Sequence, residues 1–477
     1  MSIYKTTIKS VVLALFSVTL ARAGLSVSSD DSTTLLGRDY YQDRLDQAMQ
    51  RPWAFPATIS LTIGDQGYGC NGGIAPLAKT IFGSDRFSFG DIFLLAKLSA
   101  ENKITIPGDP LTTDVLTTLL APVELEFDAE TRELVALFTA SYRRSLGETE
   151  RMDVVIGLNV PIKTQFNILH IDFDSGSLLS PMGTNLPVSQ STLAQFFSFY
   201  EDVYDFFVAS ILEPKGLTYH SLQRKTGLGD ITFFGYIDGA KYFNYVDALQ
   251  VGVTWMVPTT TADIASNLWP IDLSQGGGSS VGFFSNALLH SPWAGINPAL
   301  QVSVDISPTF YGMRRIAQLK QFNGPVDGVH NVIGKGNPLG GLIQSVPPVF
   351  GDVVTTFSEY DSTIPAFADA AVRTRIKRAP RVLAGIGNYF YNIFKKDFVL
   401  GIFYDYTHKA KDCFKVCSDA TFDTASLAKL TEVNSHRISW RLSYRFPNYI
   451  ELNGGTQHIV GGKNVIQLNQ LYVSFIA

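Results

Sequence analysis

Three arginines, Arg437, Arg441 and Arg445, stand four residues apart in the run Arg437-Ile-Ser-Trp-Arg-Leu-Ser-Tyr-Arg-Phe446. On a strand, an even spacing puts all three on one side. A row of guanidiniums lining a pore would favour anions, or the carboxylate end of an amphiphile. Asp405 and Glu451 are acids that could pair with the row instead, making a structural ladder with no transport role. Other chemistry is thin. Gly278-Ser-Ser-Val-Gly282 fits the Gly-x-Ser-x-Gly pattern, but a nucleophile elbow needs a strand before it and a helix after. Here a glycine-rich loop precedes it, and no enzymatic activity is expected. The seven histidines show no ligand spacing, and His170 with Asp172 and Asp174 reads as a turn. No metal and no cofactor are expected. Of three cysteines, Cys413 and Cys417 could close a small disulfide or stay free thiols.

The elements that must position the arginines are strands. Ile438, Trp440, Leu442, Tyr444 and Phe446 alternate with the Arg/Ser row. Ten residues are about what a tilted strand needs to cross a bilayer. Several runs repeat the pattern. Leu249, Val251, Val253 and Trp255 oppose Gln250, Gly252 and Thr254. Val154, Ile156, Leu158, Val160 and Ile162 oppose Asp153, Gly157, Asn159 and Lys163. Leu134, Ala136, Phe138, Ala140 and Tyr142 share a face. So do Phe398, Leu400, Ile402, Tyr404 and Tyr406, with the two tyrosines suited to an interfacial girdle. In the last segment Ile466, Leu468, Tyr472 and Ile476 share one.

The 477 residues are 17% charged and 12% aromatic, with 40 glycines; soluble domains carry about 25% charge. A net charge of −5 gives no sign of nucleic-acid binding. Residues 1–23 read as a secretory signal: Lys5 and Lys9, an apolar stretch from Val11 to Leu20, then Ala21-Arg-Ala23. Beyond it no apolar run is long enough for a transmembrane helix. Residues 24–84 are irregular, with a glycine-rich loop at 64–73, and are expected to form a plug or periplasmic extension. Residues 85–477 are expected to be all-β, with interruptions near 175–226 and 322–379. Strands are expected to begin at 89–98, and the first interruption to hold an amphipathic helix over 192–212.

Gly227-Leu-Gly-Asp230 opens a hairpin whose return strand closes in Val257-Pro-Thr-Thr260, and an earlier strand ends similarly in Val160-Pro-Ile-Lys163. This pattern resembles bacterial outer-membrane β-barrels of the transport type, the hydrocarbon-uptake and aromatic-degradation porin-like families among them. The resemblance lies in the hairpins, about half of the chain. One departure is the end: Phe475 is third from last and Ala477 is last, where such barrels usually end in an aromatic. The resemblance implies a closed antiparallel transmembrane barrel of about 12–14 strands, inserted in the outer membrane by the barrel-insertion machinery. Its partners would be the lipid bilayer and small-molecule solutes, and a homo-oligomer is compatible. The expected function is passage of small solutes, anions among them. The alternatives are a plugged uptake channel for hydrophobic compounds, a barrel that anchors a surface structural or adhesive protein, and a soluble exported all-β protein.

Overall fold

In the computed structural model the described residues are 53–69, 71–82, 85–88, 124–146, 152–173, 217–238, 245–259, 278–290, 295–316, 319–323, 354–358, 370–391, 398–416, 431–446 and 451–476, with a few positions between. The signal segment, the strand expected at 89–98 and the helix expected over 192–212 (save Val208 and Leu212) lie outside them.

Twelve antiparallel strands form a ring. They are β1 (Ala57–Gly64), β2 (Glu124–Leu146), β3 (Met152–Phe173), β4 (Ile231–Asp238), β5 (Val246–Val257), β6 (Ser280–Leu289), β7 (Ile296–Ile306), β8 (Arg381–Tyr391), β9 (Phe398–Lys409), β10 (Val433–Arg445), β11 (Glu451–Lys463) and β12 (Asn469–Ile476). Each pairs with its neighbours in sequence, and β1 pairs with β12 as well as β2, closing the ring. A closed ladder satisfies every backbone group without water, which is why only helices and barrels span bilayers. The count falls within the expected range. No described helix is long and apolar enough to cross a membrane, which says nothing of strands.

The strand β1 corrects the expectation for residues 24–84. Ala57–Gly64 lies in the wall, with Ile59 exposed outside and Ser60 and Thr62 buried inside. Beyond it, Gln66–Tyr68, Ile74–Pro76 and Val465–Ile466 form a small sheet at the rim, joined by the helix α1 (Leu77–Phe82). Tyr68, Ile459 and Val465 cluster there.

One end of the ring carries short connections: 147–151, 239–245, 290–295, 392–397 and 446–450. The other end carries 65–123, 174–230, 258–279, 307–380 and 410–432, with 464–468 its one short link. This asymmetry is that of outer-membrane barrels. The β2–β3 hairpin continues pairing to Leu125↔Phe173, well past the ring. On that extension His170 and Asp172 are exposed on a strand, not in the expected turn. Strands Phe310–Ile316, Ala370–Lys377 and Cys413–Val416 likewise form a three-stranded sheet past β7, β8 and β9.

Faces alternate around the ring. Outward lie Ile156, Phe233, Val251, Val253, Trp255, Val302, Ile386, Ile402 and Trp440, all exposed. Inward lie polar groups, buried. At the short-connection end, Phe398 lies tilted against Tyr444 with centroids 4.5 Å apart, and Tyr444 meets Phe446 edge-on at 4.7 Å. At the other, Tyr404 Oη sits 2.7 Å from His436 Nδ1, and Phe233 lies 5.7 Å from Trp255. Two aromatic bands bounding an apolar one match a bilayer's interfaces. In β12 Tyr472 and Ser474 are buried on the inner side, while Leu471 and Phe475 are exposed outside.

The exposed apolar face sets a prediction. Ile386 is 56% exposed. In water its replacement by Arg would change stability by about 0.5 kcal/mol or less, whereas on a lipid face it costs about 2–4 kcal/mol. Ile386→Arg is therefore expected to lower the urea midpoint of the barrel folded into vesicles by the larger amount.

Candidate functional site

The interior is built by the inward row of each strand. On β10, Arg437, Ser439, Arg441 and Ser443 are all buried, while Ile438 and Trp440 are exposed outside and Leu442, Tyr444 and Phe446 half-buried. Val251, Val253 and Trp255 are exposed outside on β5, with Leu249 half-buried. Arg445 and Glu451 are paired across β10 and β11, but their side chains lie outside what is described.

Arg437 and Asp405 come together. Arg437 Nε donates to Asp405 Oδ2 at 3.1 Å, and Gln301 Nε2 donates to Asp405 Oδ1 at 2.9 Å. Asp405 is 1% exposed and Arg437 5%. In register with Asp405 is Gly385, where a Cβ would meet Gln301 Cγ at 2.7 Å. The missing side chain makes room for the triad. Arg441 Nε donates to Asn453 Oδ1 at 3.4 Å, between Gly401 and Gly455 in register. Other interior cations also face carboxylates: Lys163 Nζ is 3.7 Å from Glu133 and Arg143 is 4.0 Å from Asp238. Asp153 and Asp230 are buried as well. Arg437 is thus the paired ladder, not a bare cationic strip, and the interior charge is mixed.

Aromatic rings on the inner wall were not picked out from sequence. Phe234 and Tyr236 on β4 stack with centroids 6.3 Å apart, and Tyr236 meets Phe284 of β6 edge-on at 6.1 Å. Between them Gly252 leaves the space: a Cβ there would meet Phe284 Cζ at 2.6 Å and Tyr236 Cβ at 2.5 Å. Nearer the short-connection end, Tyr389 and Phe403 pack edge to face at 5.1 Å with Leu288, Ala299 and Val399. The Phe403 ring lies over Gly401, where a Cβ would be 2.6 Å from Cε2. These rings concentrate on β4 to β9. The polar side chains Ser439, Arg441, Asn453, Gln457, Gln470, Ser60 and Thr62 concentrate on β10 to β12 and β1. The signal in sequence was the pairing of glycines with rings across strands, which needs the register to be seen.

Chemistry other than passage finds little footing among the described residues. No group of three or more His, Cys, Asp or Glu could hold a metal there. Ser280 opens β6, so a strand and not a helix follows Gly278-Ser-Ser-Val-Gly282. Cys413 is free and exposed, so the disulfide is not formed at that thiol; Cys417 lies outside the described residues.

Replacing Asp405 by Asn is expected to destabilise the barrel by about 3–5 kcal/mol, because a buried guanidinium loses its carboxylate. The double change Asp405→Leu with Arg437→Met is expected to recover most of that loss. Urea unfolding of the three proteins in one detergent checks both.

No protein-family model matches the chain, and no curated protein matches it. Solved structures with similar folds are outer-membrane barrels. An outer-membrane channel from Pseudomonas putida F1 shares 9% identity over 89% of this chain and 95% of its own, with a TM-score of 0.42. The transport unit of the autotransporter AIDA-I from Escherichia coli shares 8% over 89% of each chain, at 0.33. A toluene transporter, TodX of Pseudomonas putida, shares 8% over 92% of each, at 0.27. The chain has the fold class of bacterial outer-membrane β-barrels, on the closed ring, the apolar outer wall and the loop asymmetry described above.

Proposed function

We propose that the chain is an outer-membrane channel for small hydrophobic or amphiphilic solutes, aromatic compounds among them, and carries out no catalytic step. It would be exported, inserted from the periplasm and oriented with its long connections outside the cell. The observation that carries this reading is the row Phe234, Tyr236 and Phe284 on the inner wall, facing strands rich in hydroxyl, amide and guanidinium groups. An aromatic body finds stacking surface on one side, and a polar end finds donors on the other. The carboxylates beside Arg437, Lys163 and Arg143 weigh against simple anion selectivity.

N-Phenyl-1-naphthylamine, a fluorescent aromatic amine, serves as the probe with the full chain in detergent. Tyr236→Ser with Phe284→Ser is expected to weaken its binding roughly tenfold, the size of about 1.4 kcal/mol of lost stacking and burial. Unchanged binding in the variant, or a large non-selective potassium chloride conductance in planar bilayers without probe binding, sinks the reading.

A further inference from the structure

The three-stranded sheet past β7, β8 and β9 keeps the register of the wall. Phe310↔Ile376 is in step with Asp305↔Arg381, and Lys377↔Cys413 with Arg381↔Lys409. No residue is gained or lost between ring and sheet. The inward row of Gln301, Leu383 and Asp405 therefore runs on through Tyr311, Arg375 and Lys415, all exposed. Met313, Arg373 and Lys377 are exposed on the same face. On the opposite face Thr374 and Ile376 are buried. The lumen side of this sheet is thus basic and open, with Arg375 ~20 Å along the strand beyond Arg381.

Register sets Arg375 between Tyr311 and Lys415, and Met313 opposite Arg373. Like charges directly opposite on paired strands are destabilising, so Arg375 facing Lys415 is a cost that an anion would offset. The described acids of the 410–432 connection are engaged elsewhere. Asp412 takes Lys409 Nζ at 2.8 Å and the Ala379 amide at 2.9 Å. Glu432 takes Lys463 at 2.9 Å and Lys411 at 3.8 Å. The hydrogen bond from Lys463 holds the Glu432 carboxyl below the usual range. A ring stands beside the cations: the Arg373 guanidinium lies 5.3 Å from the Tyr311 ring centroid.

We propose that this face is the entrance site of the channel and binds the carboxylate of an aromatic acid. Arg375 and Lys415 hold the carboxylate, and Tyr311 and Met313 take the ring. The planar fork of a guanidinium donates two bonds at once to a carboxylate, and an aromatic body gains stacking on Tyr311. Inside the wall Arg437 already faces Asp405, so the charge of an acid is met at the mouth. The inference rests on the channel reading and deepens it by naming the polar end of the solute.

The test is isothermal titration calorimetry of the full chain in an uncharged detergent with 1-naphthoate, the neutral 1-naphthylmethanol, and acetate. 1-Naphthoate is expected to bind roughly tenfold more tightly than either. Arg375→Gln with Lys415→Gln is expected to weaken it roughly tenfold, a factor of about three for each exposed ion pair. Tyr311→Ser is expected to weaken it roughly threefold through the lost ring contact. These side chains are exposed, so the variants are expected to fold, which heat-modifiable migration on gels checks. Equal binding of the acid and the alcohol, equal binding of 1-naphthoate and acetate, or unchanged affinity in the double variant overturns the proposal. N-Phenyl-1-naphthylamine, measured alongside, keeps the two readings apart. A wild-type chain that binds this probe yet gives one of those results fails the entrance site alone. A chain that binds no probe fails the channel reading, and the entrance role falls with it.

Discussion

The structure depends on a ladder that must have no free edge. Strand β1 is what satisfies it: without Ala57–Gly64, β12 and β2 would each turn a row of amides and carbonyls toward hydrocarbon. Each such group costs several kcal/mol where no water can reach it. The other eleven strands pair with near neighbours through hairpins or loops. Their outward apolar rows can face lipid only because this one strand completes the ring.

Closing twelve strands leaves an interior that side chains must share. Glycines decide how. At Gly252 and Gly401 the wall gives up a side chain, and a ring from the neighbouring strand, or from two residues along the same strand, takes the space. At Gly385 the space goes to the carboxylate of Asp405 and the amide of Gln301. Large side chains thereby sit against the wall, and charges sit against counter-charges. The buried ion pair is weak evidence for stability, since its desolvation offsets most of its attraction. It does fix which groups the lumen presents.

Much of the wall was legible because period-two alternation is a direct record of two environments. The outward rows of β3, β5, β9 and β10 follow from sequence alone. Strand β1 carries the same record, Ile59, Leu61 and Ile63 against Thr58, Ser60 and Thr62. It was passed over because it is short and lies beside glycine-rich sequence that reads as loop. Alternation also separates the adjacent Phe233 and Phe234, since Ile231 and Ile237 share the face of the first and Thr232 and Asp238 that of the second. What the sequence does not state is which cross-strand glycines, Gly157 and Gly252, make room for the inner rings. Likewise Asp405 became the partner of Arg437 through a backbone register that sequence does not state.

The contact between Thr58 Oγ1 and Ser474 Oγ, 3.0 Å long, joins residues 416 positions apart. The seam it belongs to is made of the first and last wall strands. No part of the ring can therefore be sealed while the chain is still emerging, and its apolar rows must wait for nearly the whole polypeptide. Pairings so distant in sequence form slowly because the loop they close is long. During that wait the exposed rows are open to aggregation. A chain with this seam needs escort between synthesis and membrane, and its late step is the meeting of its two ends.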